Sequence, residues 1–107
     1  MEDMERIAFQ IISSVGSARS SYMEAIQKAK AGDFEGAERN IQQGNELFTE
    51  GHHVHTKLLQ KEAENVSGSI ISLLLLHAED QLMSAEAFRT IATEFIDVYK
   101  RLEETKK

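Results

Sequence analysis

The chain has 107 residues, with no cysteine and no proline, and 18 acidic against 12 basic residues give it a formal net charge of −6. That length suits one small domain with a modest core, which would gain from burying a face against identical copies. The missing cysteines exclude disulfides and thiolate metal sites, and the acidic balance with scattered bases argues against nucleic-acid binding, which needs a basic stripe.

With no proline and six glycines, long helices meet few obstacles, and apolar residues recur at helical rather than alternating spacing. The expected fold is all-α. The opening "MEDMERIAFQ" is acidic before it is apolar, unlike a secretory signal, so a cytoplasmic location is expected. A first helix is predicted from about Glu2 to Ala31, with Ile7, Ile11, Ala18, Tyr22, Ala25 and Ala29 on one stripe.

"AGDFEGA" should end that helix and begin the next, with Gly32 in a left-handed C-terminal position and Asp33 as the following N-cap. So short a connection makes the two helices antiparallel neighbours. The second helix is predicted over about 34–65, burying Phe34, Ala37, Ile41, Leu47, Phe48, Val54, Leu58 and Leu59. Within it, Gly44 and Gly51 are one heptad apart and mark close helix approach.

"ENVSGS" is the second break, where Ser67 or Ser69 could cap a third helix running over about 68–104. That helix would be roughly 57 Å long at 1.5 Å per residue. An antiparallel up-down-up three-helix bundle that self-associates, giving nine helices in a trimer, accounts for such length better than a monomer does. The apolar run 70–76 remains far short of the roughly 20 residues that cross a bilayer.

Steps of four and three from Ile70 pass through Leu74, His77, Gln81, Ser84, Phe88, Ile91, Phe95, Val98 and Leu102, a heptad seam with a polar middle. A neighbouring seam through Leu73, Leu76, Asp80, Met83 and Ala87 carries one acid. His77, Asp80, Gln81 and Ser84 therefore fall within about two turns on the side expected to face inward. Such a layer could simply fix register and oligomer number. It could also be a site, because every buried polar group must find a partner.

His77 is the only strong nucleophile or base in the cluster, and a neutral imidazole nitrogen can attack a phosphoryl group. It lies inside the helix, where backbone N–H groups are already paired, so stabilising donors must be side chains. Side chains lean toward the helix N-terminus, which makes Gln81 the natural donor over His77. Ser84, two turns on, would better serve a neighbouring subunit. An ionised Asp80 beside His77 would favour imidazolium and repel phosphoryl, so it should hold the other ring nitrogen or point elsewhere. In a symmetric trimer, Asp80 from three chains could meet on the axis, which demands a cation or protons.

"HAEDQLM", residues 77–83, together with "AGDFEGAE" and "HTKLLQKEA", resembles the lactose/cellobiose-type enzyme IIA family of the bacterial phosphotransferase system over essentially the whole chain. The resemblance implies a cytoplasmic trimer in which His77 is phosphorylated by the histidine phosphocarrier protein. It then passes the group to a cysteine of enzyme IIB, for sugar uptake through the membrane component enzyme IIC. The resemblance also implies a divalent metal, magnesium, at Asp80 on the trimer axis. Many members carry Gln where this chain has Glu79 and His where it has Gln81. Ala78 after the histidine points to the cellobiose/chitobiose branch, since lactose-type members tend to have Gly there.

"GHHVHT" sets His52 and His55 three residues apart, the spacing of a metal pair without a third ligand nearby. Surface or interhelical packing is the simpler role, and the resemblance makes His52 the better candidate to line the His77 crevice. Met4, Met23 and Met83 are expected to pack rather than ligate, and Arg89 to be solvated rather than to meet a phosphate. The competing function is a non-catalytic helical trimer, structural or adaptor, whose polar layer sets assembly only. A two-component phosphotransfer domain would show His-x-x-Lys-Gly, where this chain has Asp80 and Gln81.

Overall fold

The computed structural model describes residues 2–64 and 73–106, with side chains over 4–61 and 73–106. Three helices account for them: α1 (Glu2–Lys30), α2 (Phe34–Glu64) and α3 (Leu73–Thr105), and no strand occurs among the described residues. The expected start of the third helix near residue 68, its Ser67 or Ser69 cap and Ile70 lie outside the described residues. No helix among the described residues is long and apolar enough to cross a membrane.

The turn between α1 and α2 works through two residues. Gly32 has φ 89° and its N–H reaches the Ala29 carbonyl at 3.0 Å, while the Asp33 N–H reaches the Lys28 carbonyl at 2.8 Å. These are the two closing bonds of a Schellman cap, which needs a left-handed residue and so favours glycine. Asp33 is also the N-cap of α2, accepting from the Gly36 N–H at 2.9 Å. One residue thus ends one helix and starts the next, which forces α1 and α2 to lie antiparallel.

Helix α1 is the centre of the bundle and packs along both other helices. Ala8, Ile11, Val15, Ala18, Tyr22, Ala25 and Ala29 are buried at alternating steps of three and four, so one unbroken face of α1 is removed from water. Ile11, Val15 and Tyr22 are the largest of its fully buried side chains. The aliphatic pair each contribute about 1.5–3 kcal/mol by leaving water. Opposite them, α2 provides glycines. A Cβ on Gly44 would stand 2.5 Å from the Tyr22 ring, and one on Gly51 would stand 2.8 Å from Val15 Cγ1. Two hydroxyls of this interface are paired: Ser21 Oγ donates to the Asn40 carbonyl at 2.8 Å, and the Tyr22 hydroxyl donates to Asn45 Oδ1 at 2.7 Å, while Asn40 Oδ1 is buried without a partner. Burial pushes the Tyr22 hydroxyl above its ordinary 10.0, against the pull of Arg89. The neutral donor therefore survives any physiological pH, and its contribution is lost only as pH rises beyond 10.0 through the raised value.

Helix α3 packs on a different face from the one its large residues mark out. Its buried residues are Leu75, Ala78, Leu82, Ala85, Ala92 and Ile96. The seam expected to face inward is half-buried at Leu74, Gln81, Ser84 and Phe88 and exposed at His77, Ile91, Phe95, Val98 and Leu102. The physical reason is that alanine carries little hydrophobic weight in a sequence pattern, yet lets two helix backbones approach closely. Leu75, Leu82 and Ile96 are the large side chains buried with the alanines, while Leu76, Met83, Ile91, Phe95, Val98 and Leu102 are left outside. Met23, Met83 and Leu59, all expected to pack, are likewise exposed in the protomer.

Alanine at Gly44 should destabilise by about 1–2 kcal/mol, because overpacking against Tyr22 outweighs the gain in helix propensity. At Gly16, where an added Cβ meets nothing within 4 Å, the same change should stabilise by up to about 1 kcal/mol. Urea denaturation of the two variants checks the opposite signs, and a stabilised Gly44→Ala would show that the Tyr22 ring yields freely.

Candidate functional site

His77 sits near the start of the described part of α3. It is exposed, and among the described residues its ring makes no hydrogen bond. With Leu73, Leu74 and Leu76 it rims an open concavity whose walls are almost wholly apolar. The neighbouring residue, Ala78, is fully buried against α1, so the backbone at His77 is anchored while its ring is free. A neutral imidazole held this way keeps a nitrogen lone pair available for attack on an electrophile.

Gln81 follows one turn later on the same side of α3, half-buried against α1. Its Oε1 accepts from Arg19 Nη1 at 2.9 Å. The Arg19 guanidinium also lies over the Phe88 ring, 5.0 Å from its centroid, and its Nε is buried with no hydrogen-bond partner. Ser84 lies at the register position between Gln81 and Phe88 and is half-buried. The structure thus gathers His77, Gln81, Ser84 and the α1 cation along one flank of α3.

Asp80 lies on another side. Leu76, Asp80, Met83, Ala87, Ile91, Phe95, Val98 and Leu102 are all exposed and follow one another by three or four residues. They form a continuous line along the outer side of α3, apolar except for Asp80. Asp80 makes no hydrogen bond to His77 among the described residues, so of the two expected alternatives it points elsewhere. No three His, Cys, Asp or Glu residues come together within the described residues. A divalent cation at Asp80 therefore needs carboxylates from other copies of the chain; three such oxygen donors are the hard ligands that magnesium takes.

The remaining charged neighbour, Glu79, is turned to the opposite flank. Its Oε1 accepts from His55 Nε2 at 3.0 Å, which ties α2 to α3 at the level of His77. His52 is placed differently. It stacks on Phe48, with ring centroids 5.9 Å apart, and lines a groove with Thr49, Glu86 and Arg89. Glu86 is nine residues beyond His77, about 13 Å along the helix. Within one protomer, His55 rather than His52 stands at the level of the candidate nucleophile. Arg89 is half-buried, with its guanidinium 5.0 Å from the centroid of the Phe48 ring.

Arg19 escaped the sequence analysis, although a signal was present. It directly follows Ala18 on the apolar stripe of α1, three residues before Tyr22, so its side chain leaves the helix beside the core. The His55–Glu79 pair could not be read at all, because two residues 24 apart in sequence meet only once the crossing of α2 and α3 is known.

Comparison with known proteins gives one consistent result. A sequence profile of the family described as "PTS system, Lactose/Cellobiose specific IIA subunit" matches residues 6–100. The lichenan-specific phosphotransferase enzyme IIA component of Bacillus subtilis is 43% identical over 103 residues, covering 96% of this chain and 93% of that protein. The crystal structure of a cellobiose-specific enzyme IIA from Bacillus anthracis superposes with a TM-score of 0.89 at 44% identity, covering 92% of this chain and 90% of that one. The chitobiose IIA in its complex with HPr, from the Escherichia coli phosphotransferase system, superposes with a TM-score of 0.81 at 33% identity, covering 92% and 95%.

Because His77 is exposed and unbonded, His77→Gln should change folding stability by no more than about 0.5 kcal/mol. His55→Ala, which breaks a half-buried pair, should cost about 0.5–1.5 kcal/mol. Thermal melts of both variants test the contrast; a large loss in His77→Gln would give the ring a structural role.

Proposed function

The chain belongs to the lactose/cellobiose-specific enzyme IIA family of the phosphotransferase system, and we propose that His77 is the residue on which it carries the phosphoryl group. The observation that carries this is the free, solvent-facing imidazole of His77 on an anchored backbone, beside an amide whose orientation is fixed. A ring nitrogen of neutral His77 attacks the phosphorus of a phosphohistidine donor. The new N–P bond forms as the donor's breaks, and the electron pair returns to the donor imidazole. In the second step a cysteine thiolate attacks the same phosphorus, an S–P bond replaces the N–P bond, and His77 is left neutral. No water is required in either step, so a water-poor docking surface protects the labile group, and the apolar rim at Leu73, Leu74 and Leu76 meets that need.

The donor is the phosphocarrier HPr, in line with the complex solved for the chitobiose relative, and the acceptor is the cysteine of the cognate enzyme IIB. The sugar is a β-linked disaccharide of the cellobiose/chitobiose type, in line with the specificities carried in the names of the relatives. Gln81 donates its amide N–H groups to the phosphoryl oxygens. Ser84 and His52 are the further donors proposed, Ser84 toward the histidine of a neighbouring subunit and His52 as part of the lining of the His77 crevice, from a neighbouring copy since its own groove lies beside Glu86 and Arg89. The protein works in the cytoplasm, where these partners meet it.

The assembly proposed is a homotrimer. The exposed line from Leu76 to Leu102 is the kind of apolar seam that is covered by another copy of itself. Three chains related by a threefold axis along that line bring three Asp80 carboxylates together, and magnesium held there would neutralise them. A trimer with no phosphoryl chemistry is the alternative.

Incubation with phosphoenolpyruvate, enzyme I and HPr should place one acid-labile phosphoryl group on each wild-type chain and none on His77→Gln. An unlabelled, folded wild type in a relay that labels a control carrier would leave only the structural trimer. Val98→Asp should convert a trimer into monomers in analytical ultracentrifugation; an unchanged mass would place the interface elsewhere. Magnesium should raise the melting temperature of the wild type and not of Asp80→Leu, and an equal response of the two would remove Asp80 from the metal site.

A further inference from the structure

The Arg19 guanidinium is an unusual group to find wedged between α1 and α3. Its Nε is buried without a partner, its plane lies over Phe88, and a single hydrogen bond to Gln81 is its polar contact among the described residues. A buried donor left unpaired is destabilising, and pinning α1 to α3 could be done by an aliphatic side chain at no such cost. The cation has to be explained by what it does to Gln81.

The chemistry of the pair gives that explanation. A guanidinium can only donate, so it accepts no orientation of the Gln81 amide except the one that turns the carbonyl oxygen toward α1. Both N–H bonds of the amide are then directed away from Arg19. Since side chains on α3 lean toward its N-terminus, and His77 is one turn in that direction, these donors face the ring. The guanidinium also withdraws electron density through the carbonyl, which makes the amide N–H groups better donors, as expected along a chain of hydrogen bonds.

We infer that Arg19 is a positioning residue for phosphoryl transfer: by holding Gln81 Oε1 it presents the Gln81 amide N–H groups to the oxygens of the phosphoryl group on His77. This rests on the assignment of His77 as the carrier. Arg19 does not touch the phosphoryl group, and it acts through Gln81.

The test uses the full-length protein phosphorylated through enzyme I and HPr, with three variants: Arg19→Met, which keeps a long stem over Phe88, Gln81→Met, and the double variant. The half-life of the phosphohistidine at neutral pH, the rate of transfer from phosphorylated HPr, and the melting temperature are measured for each. Arg19→Met should shorten the half-life or slow transfer by roughly three- to tenfold, Gln81→Met by a similar factor, and the double variant by no more than the larger single effect. Arg19→Lys, whose ammonium also only donates, should recover the wild-type values to within about twofold. The Gln81 side-chain amide signals in 15N-edited NMR should shift on phosphorylation of wild type, a readout that survives even if Arg19→Met fails to fold.

Unchanged half-life and transfer rate in a folded, labelled Arg19→Met, additive losses in the double variant, or Gln81 amide signals indifferent to phosphorylation would each overturn the inference while leaving His77 as the carrier. A wild type that takes no label would instead overturn the carrier assignment, and the inference with it.

Discussion

Everything distinctive about this chain depends on how closely α3 lies against α1. Ala78, Ala85 and Ala92 are fully buried at heptad spacing and present almost no side chain to the interface. Leu75, Leu82 and Ile96 are buried with them, while Leu76, Met83, Ile91, Phe95, Val98 and Leu102 are left on the outer side of α3. In a bundle 19 Å across and 64 Å long they lie outside the protomer's core, and covering them by the proposed self-association would contribute about 25 cal/mol per Å² of apolar surface.

The same packing explains where the candidate nucleophile sits. Residues 77 and 78 lie on opposite sides of the contact line: Ala78 is sealed against α1 and His77 stands outside it. An immobile backbone under an exposed ring limits the entropy lost when a second protein docks on that ring. Had the large residues of α3 faced inward, as their pattern proposed, His77 would have been carried into the core with them. A buried imidazole could not meet a macromolecular donor.

The class of fold, the turn at Gly32 and Asp33, the role of Gly44 and Gly51 and most of the α1 stripe were legible in the sequence, because each is a local matter of periodicity, backbone conformation or capping. The face on which α3 packs was not. Hydrophobic pattern weighs residues by size, and half of the buried face of α3 is alanine, at Ala78, Ala85 and Ala92, while larger residues such as Ile91, Phe95 and Leu102 stay exposed. The candidate nucleophile was singled out through its segment, and Gln81, as its neighbour one turn on, through helix geometry. What supports them was hidden: Arg19 comes from a helix 62 residues away, and His55 from one 24 residues away. Long-range pairs of this kind appear only when helix crossings and axial offsets are known. The position of His52 illustrates the limit, since three residues of sequence separate it from His55 while the bundle gives the two rings different neighbours.

The distribution of charge around His77 then follows a consistent logic. "HAEDQ" puts two acids two and three residues after the proposed carrier of an anionic group, an arrangement that would oppose phosphorylation if both carboxylates faced the ring. The helix turns them away in different directions. Glu79 is drawn to the α2 flank by His55, and Asp80 belongs to the outer line. The third direction, toward α1, holds the Arg19 guanidinium, which is bonded to Gln81 one turn beyond His77. Water screens the exposed Asp80 carboxylate, and the His55 ring occupies an oxygen of the half-buried Glu79. An acidic segment can serve the proposed anionic intermediate when helical geometry turns its carboxylates away from the ring in different directions.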